Sequence, residues 1–182
     1  MNQHLVAAVI ATQVVTGCRI GTAATMDGTV PPVRDNSPIQ TDSVVYHLKR
    51  LTSEYRAYVV ATYTNRTSSA IYFARCNDAT TTPMYGVQRT GADSSKLLFS
   101  DVAWACVGGV PTGEIARGAS VTVRVPLGTV DQPAMQPPLK AEDLVGLMRV
   151  TLQLCRRFAA DSDDCEPVPD AQRISNAFLV TY

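Results

Sequence analysis

The feature that most restricts the fold of this chain is a two-residue alternation of apolar and polar side chains. In Ser120 to Leu127, Val121, Val123 and Val125 fall on one side and Thr122 and Arg124 on the other. Leu147 to Cys155 repeats the pattern, with Met148, Val150, Leu152 and Leu154 set against Arg149, Thr151 and Gln153. A strand turns successive side chains to opposite faces, so this spacing predicts strands buried on one side only. Tyr55 to Thr64 alternates likewise, with Ala57, Val59, Ala61 and Tyr63 on one face. Arg173 to Tyr182 places Ile174, Phe178 and Val180 in phase. Further strands are expected at Ala70 to Cys76, Met84 to Arg89 and Lys96 to Cys106. Turns and loops are expected at Asn65 to Ser69, Thr90 to Asp93, Gly108-Gly109 and Pro111 to Gly118, and a short helical turn or two within Lys140 to Leu147. About seven short strands punctuated in this way predict an all-β, antiparallel β-sandwich.

The N-terminus has a different character. All 16 basic and all 16 acidic residues lie beyond Cys18. Leu5 to Val15 is an apolar run, softened by Thr12 and Gln13. It is shorter than the roughly 20 residues that cross a bilayer as a helix, and it suits the apolar region of a signal peptide. The run ends in Val15-Thr16-Gly17-Cys18, which resembles the bacterial lipobox. That resemblance implies that residues 1–17 are removed as a signal peptide. It also implies that Cys18 carries lipid and that the chain is held to a membrane of the cell envelope, facing outside the cytoplasm. Several acyl chains anchor firmly where one binds only marginally. Met1-Asn2-Gln3-His4 departs from the usual basic start, offering only a histidine. Arg19 to Asp42 contains Gly21, Gly28, Pro31, Pro32 and Pro38 and shows no apolar period. Residues 18–42 are therefore expected to be the lipidated N-terminus and a flexible linker, reaching about 5–6 Å × √n, with the domain at residues 43–182.

Five Cys are present, and lipid on Cys18 would leave four: Cys76, Cys106, Cys155 and Cys165. Outside the cytosol an even set reads as disulfides. Sequential pairing gives Cys76–Cys106 and Cys155–Cys165, one of three connectivities that four Cys allow. Loop closure would contribute about 3.7 and about 2.8 kcal/mol respectively. Cys155 occupies the outward phase of its strand, and a hairpin over the acidic stretch Asp161 to Glu166 would return Cys165 to it.

Other chemistry finds little support. No Cys-x-x-Cys pair is available for zinc, so no metal is expected. In the acidic stretch, Cys165 falls where an EF-hand would place its third acid, which predicts a solvated loop. His47 is the only histidine beyond the leader, and no Gly-x-Ser-x-Gly elbow accompanies it, against a hydrolase triad. Phosphate loops and dinucleotide fingerprints are absent, so no cofactor is expected. Zero formal net charge and no basic stripe argue against nucleic acid as a partner. Asn65-Arg66-Thr67 matches a glycosylation sequon but reads as a turn.

Several segments resemble small bacterial immunoglobulin-like lipoprotein domains. These are Tyr58 to Asn65, an alternating strand closing on Thr-Asn; Ile115 to Val123, with Gly118 and a small residue before a strand; Gly146 to Val150; and Ser175-Asn176-Ala177-Phe178. The layout over roughly residues 44–182 is similar to the bacillar intracellular proteinase inhibitor domain. Trp104 beside Cys106 resembles the tryptophan packed on a disulfide in immunoglobulin domains. The resemblance implies an immunoglobulin-like sandwich and transfers no inhibitory residue. Three functions follow as expectations: a non-catalytic module binding a protein partner, inhibitor-like in its sharpest form; a structural or assembly lipoprotein; and, least supported, an enzyme. Exposed aromatics gathered at one end would favour the first, and a self-complementary apolar face the second.

Replacing Cys18 by Ala is expected to leave an unprocessed precursor that takes up no palmitate. Continued labelling of that variant would refute the lipid assignment.

Overall fold

The computed structural model describes residues 32–74, 81–90, 97–100, 112–129, 139–158 and 165–182. The strands among them are β1 (Ile39–Thr41), β2 (Val45–His47), β3 (Lys49–Leu51), β4 (Glu54–Thr64), β5 (Ile71–Ala74), β6 (Tyr85–Arg89) and β7 (Leu97–Ser100), followed by β8 (Thr112–Ile115), β9 (Ser120–Gly128), β10 (Gly146–Leu152), β11 (Cys155–Phe158), β12 (Cys165–Pro167) and β13 (Phe178–Thr181). They form three sheets, and the fold is all-β and consistent with a β-sandwich. In the first sheet β4 is flanked by β1 and β3 along one edge and by β9 along the other. The second runs β2-β13-β10-β6-β7, antiparallel except that β2 lies parallel to β13. The third runs β12-β11-β5-β8.

The alternating segments face as expected except the last, where the strand is only Phe178–Thr181, Ile174 stays outside the core and Leu179 is buried along with Phe178 and Val180. Val59, Ala61, Tyr63, Val123 and Val125 of the first sheet pack in one buried cluster with Val87, Met148, Val150, Leu152, Phe178 and Val180 of the second. Ile71, Phe73 and Ile115 of the third join them. Val121, at the start of its strand, sits half-buried at the rim.

The β4–β9 ladder explains a proline inside a strand. Asn65 N–H donates to Ala119 O at 2.9 Å and Thr129 N–H to Tyr55 O at 3.1 Å, bracketing the ladder at both ends. With Tyr58 opposite Pro126, this register directs the odd-numbered amides of β9 toward β4. The Pro126 nitrogen thus faces away from β4, where a missing N–H removes no ladder bond.

Three other expectations need correction. The linker expected to run to Asp42 stops earlier, because Ile39–Thr41 pairs along Tyr63–Ala61 and Ile39 is fully buried. Pro31–Tyr182 forms one compact unit, and every core residue lies inside it. Thr112–Ile115, expected as loop, is a strand whose Gly113 lies opposite Phe73. A Cβ on Gly113 would come 2.2 Å from the Phe73 ring, so glycine here makes room for an aromatic ring laid across it. The segment Leu147 to Cys155 is not one strand: β10 ends at Leu152, and Cys155 opens β11 in another sheet. Gln153 N–H donates to Met84 O at 2.9 Å at that change of sheet, and Leu154 and Cys155 are both buried although adjacent. Within Lys140 to Leu147 the helical part is a single 3-10 turn, Ala141–Leu144.

Gly113→Ala is expected to lower stability by about 1–3 kcal/mol, because the Phe73 ring must leave its packed position. Thermal unfolding of Gly113→Ala, Phe73→Leu and the double variant checks this. Additive losses in the double variant would show that the two residues are not coupled.

Candidate functional site

Strand β4 spans about 35 Å at 3.2–3.4 Å per residue, and its two ends define two poles. At the Thr64 end the chain enters the fold. Thr64 N–H donates to Pro38 O at 3.4 Å, and β1 then runs toward the opposite end. The entry is held by Asn176, which is fully buried. Its N–H donates to Ile39 O at 3.1 Å, and its Oδ1 accepts from Thr41 N–H at 2.8 Å. Its Nδ2 donates to Thr41 Oγ1 at 2.8 Å and to Ala177 O at 3.0 Å. The neighbouring Ser175 Oγ accepts from Val150 N–H at 2.9 Å and donates to Asn176 O at 2.7 Å. The closing Ser-Asn-x-Phe motif is thus a clip between the first and last parts of the domain. Its Phe178 meets Tyr46 edge-on at 5.3 Å. Burial, and then the hydrogen bond to Asp42, hold the Tyr46 phenol well above its ordinary pKa, so it stays a neutral donor.

The same pole carries the Asn65 turn. Asn65 is fully buried, and its Nδ2 donates to Ser69 O and Ile115 O, both at 2.9 Å. Its Oδ1 accepts from Thr67 N–H at 3.0 Å and Thr67 Oγ1 at 2.7 Å. An amide so engaged is a structural pin, and the turn reading of the sequon follows from it. Gly118 N–H donates to Asn65 O at 2.8 Å, with Gly118 at φ 77°, which locks the loop before β9 onto this turn. Beside it lies an open depression of about 320 Å³ lined by Thr67, Ser68, Ser69, Ile71, Arg156 and Gln172.

The Glu54 end of β4 is chemically different. β3 and β4 join through Thr52-Ser53, with Thr52 at φ 54°, an uncommon conformation for a β-branched residue. Lys49, Arg50 and Leu51 are all exposed there, Leu51 at 48%. Tyr182, 61% exposed, meets Tyr55 edge-on at 5.6 Å. His47 Nδ1 lies 2.8 Å from Thr181 Oγ1 and 3.4 Å from Tyr182 O, so the histidine ties β2 to the end of the last strand.

Cys155 and Cys165 form a disulfide with their α-carbons 5.4 Å apart. Cys155 lies opposite Tyr72, on the sheet face away from Ile71 and Phe73, but in β11 and not in the strand whose alternation predicts its outward phase. Outward here does not mean wet: β12 pairs beside Cys155, which is 1% exposed. Cys18, Cys76, Cys106, Trp104 and Asp161 to Asp164 lie outside the described residues. Among the described residues no three of His, Cys, Asp or Glu converge as metal ligands. The exposed Leu51 and the Tyr55–Tyr182 pair escaped the sequence reading, because a lone apolar residue in Lys-Arg-Leu-Thr-Ser shows no period.

Comparison with known protein families, with curated proteins and with solved structures finds no match to this chain.

Asn65→Ala would strip the carbonyls of Ser69 and Ile115 of their shared donor and unlock the turn before β9. A loss of about 2–4 kcal/mol in chemical denaturation is expected. A loss under about 0.5 kcal/mol would show that the turn does not depend on this amide.

Proposed function

We propose that the chain is a lipid-anchored protein of the bacterial envelope. In this reading its immunoglobulin-like sandwich is a non-catalytic module that binds a protein partner at the Glu54 pole. The anchor rests on the apolar run Leu5 to Val15 and on Val15-Thr16-Gly17-Cys18. The immunoglobulin-like assignment is supported by the path of the first strands. The chain leaves the first sheet at Thr41 and joins the second at Val45, where it lies parallel to the last strand. Strands that change sheets at a bend are characteristic of sandwiches.

One observation carries the placement of the binding surface. The chain coming from Cys18 enters at the Thr64 pole, while exposed Leu51, the Tyr55–Tyr182 pair, Lys49 and Arg50 gather at the other. A domain held at one end offers its far end to partners. Tyrosine and arginine are over-represented in such contacts, since they combine apolar area with a polar head. The sharpest version of the proposal is protease-inhibitor-like, in keeping with the resemblance in layout.

Incubation of the full chain with a panel of proteases tests this reading. Stoichiometric inhibition of at least one is expected, weakened about tenfold or more by Leu51→Asp with the melting temperature unchanged. Lack of inhibition across the panel would overturn the inhibitor form. Inhibition indifferent to Leu51→Asp would overturn the placement at the Glu54 pole.

A further inference from the structure

We propose that the Thr64 pole is a second, independent surface that docks on anionic phospholipid, with a headgroup phosphate received between Arg156 and the Ser68 and Ser69 hydroxyls. The surface is assembled from three places in the chain. Arg66 and Arg117 each lie one residue from the Gly118-to-Asn65 hydrogen bond, which brings their backbones together. Arg156 lines the depression beside them, next to Thr67, Ser68 and Ser69. Arg66, Arg117 and Arg156 are all exposed, and none has a carboxylate partner among the described residues.

The hydroxyls divide in the same way. Thr67 Oγ1 is engaged by Asn65 Oδ1 and Ser69 O, whereas the Ser68 and Ser69 hydroxyls make no hydrogen bond among the described residues. Among the described carboxylates near the pole, Glu166 is exposed beside Arg157 on the β12 side of β11, away from the depression, and three others are turned away or occupied. Glu114 stands opposite Tyr72, on the other sheet face from the Ile71–Ile115 pair that backs the depression. Asp170 is held by Arg173, and Asp35 pairs with Arg149 at 3.8 Å. Unpaired guanidinium groups beside free hydroxyls match a phosphate, which accepts hydrogen bonds at every oxygen.

A membrane rather than a soluble anion is the favoured source because of where the pole lies. The segment leading from Cys18 enters the fold here, so a lipid held on that segment keeps this pole within reach of its own bilayer. This step rests on the anchor reading; the chemistry of the surface does not. A tethered domain meets the surface at high effective concentration, so weak contacts suffice. Each basic residue near an anionic leaflet adds about fivefold to partitioning.

The test uses the unit Pro31–Tyr182, which contains every core residue and neither the leader nor Cys18. It is floated with vesicles of phosphatidylcholine alone or mixed with phosphatidylglycerol. Binding to the mixed vesicles only is expected, weakening as salt is raised. Arg156→Gln should reduce it about fivefold and the triple variant Arg66→Gln, Arg117→Gln, Arg156→Gln on the order of a hundredfold, with melting temperatures unchanged because all three side chains are exposed. Equal flotation with both vesicle types, or flotation of the triple variant like the parent, would overturn the proposal. So would saturable binding of inorganic phosphate alone without vesicle binding, which would make the depression a soluble-anion site. Failure of palmitate labelling at Cys18 would remove the anchor while leaving the vesicle result to stand or fall by itself.

Discussion

Strand β4 is the member on which the rest of the domain is hung. Its eleven residues pair on both edges, with β9 over nine positions and with β1 and β3 on the other side. Ala57, Val59, Ala61 and Tyr63 carry one face of it into the core. A one-residue slip against β9 would turn that whole set to water, so burial enforces the register. The same strand sets the direction of everything attached to it. The entry of the chain, the Asn65 turn and the depression stand at one end; the Thr52-Ser53 turn and Tyr182 stand at the other.

Burial alone does not choose which strand ends meet, and the polar interior does that. Among the described residues Thr41, Asn65, Ser175 and Asn176 are the buried polar ones, and each is hydrogen-bonded. Asn176 joins Thr41 across 135 positions of sequence and Asn65 joins Ile115 across 50. In a low-dielectric interior a misplaced partner would leave an orphaned amide, which costs more than a satisfied one contributes. These residues therefore act against wrong pairings more than for the right one. Arg89 shows the other side of that rule. One guanidinium nitrogen donates to Glu142, Asp143 and Val145 carbonyls, tying down the 3-10 turn, while Nε is buried without a partner.

How far the fold could be read in advance depended on strand length and on wetting. The segments behind β4, β9 and β10 are long and wet on one face, so their alternation survives in the sequence. Strands of three or four residues, such as β1, β3 and β12, hold too few positions to show a period. Gly113 disguised β8, since glycine signals a turn unless one knows that a ring lies over it. The Cys155–Cys165 bridge was legible because hairpin return is a local event. The entry-pole cluster was not, because Arg66, Arg117 and Arg156 meet only through the β4–β9 register and the pairing of β5 with β11.

Both proposals place function at the poles because the broad face of the first sheet is less suited to a partner. That face is already matched to itself. Thr62 and Thr122 hydroxyls lie 3.0 Å apart, Thr64 and Ser120 hydroxyls 2.8 Å apart, and Arg124 stacks over the Tyr58 ring at 3.9 Å. A partner would have to replace these contacts one for one to gain anything. The edge of β9 is guarded too, since Pro126 interrupts the row of outward amides that an added strand would need. The poles lack such closure. At one, Leu51 and Tyr182 keep apolar area in water; at the other, guanidinium groups and hydroxyls stand without partners among the described residues. Unmet apolar area and unmet donors are different kinds of incompleteness, and on the two proposals made above they would select for different ligands: a folded protein surface in the first case and a phosphate-bearing surface in the second.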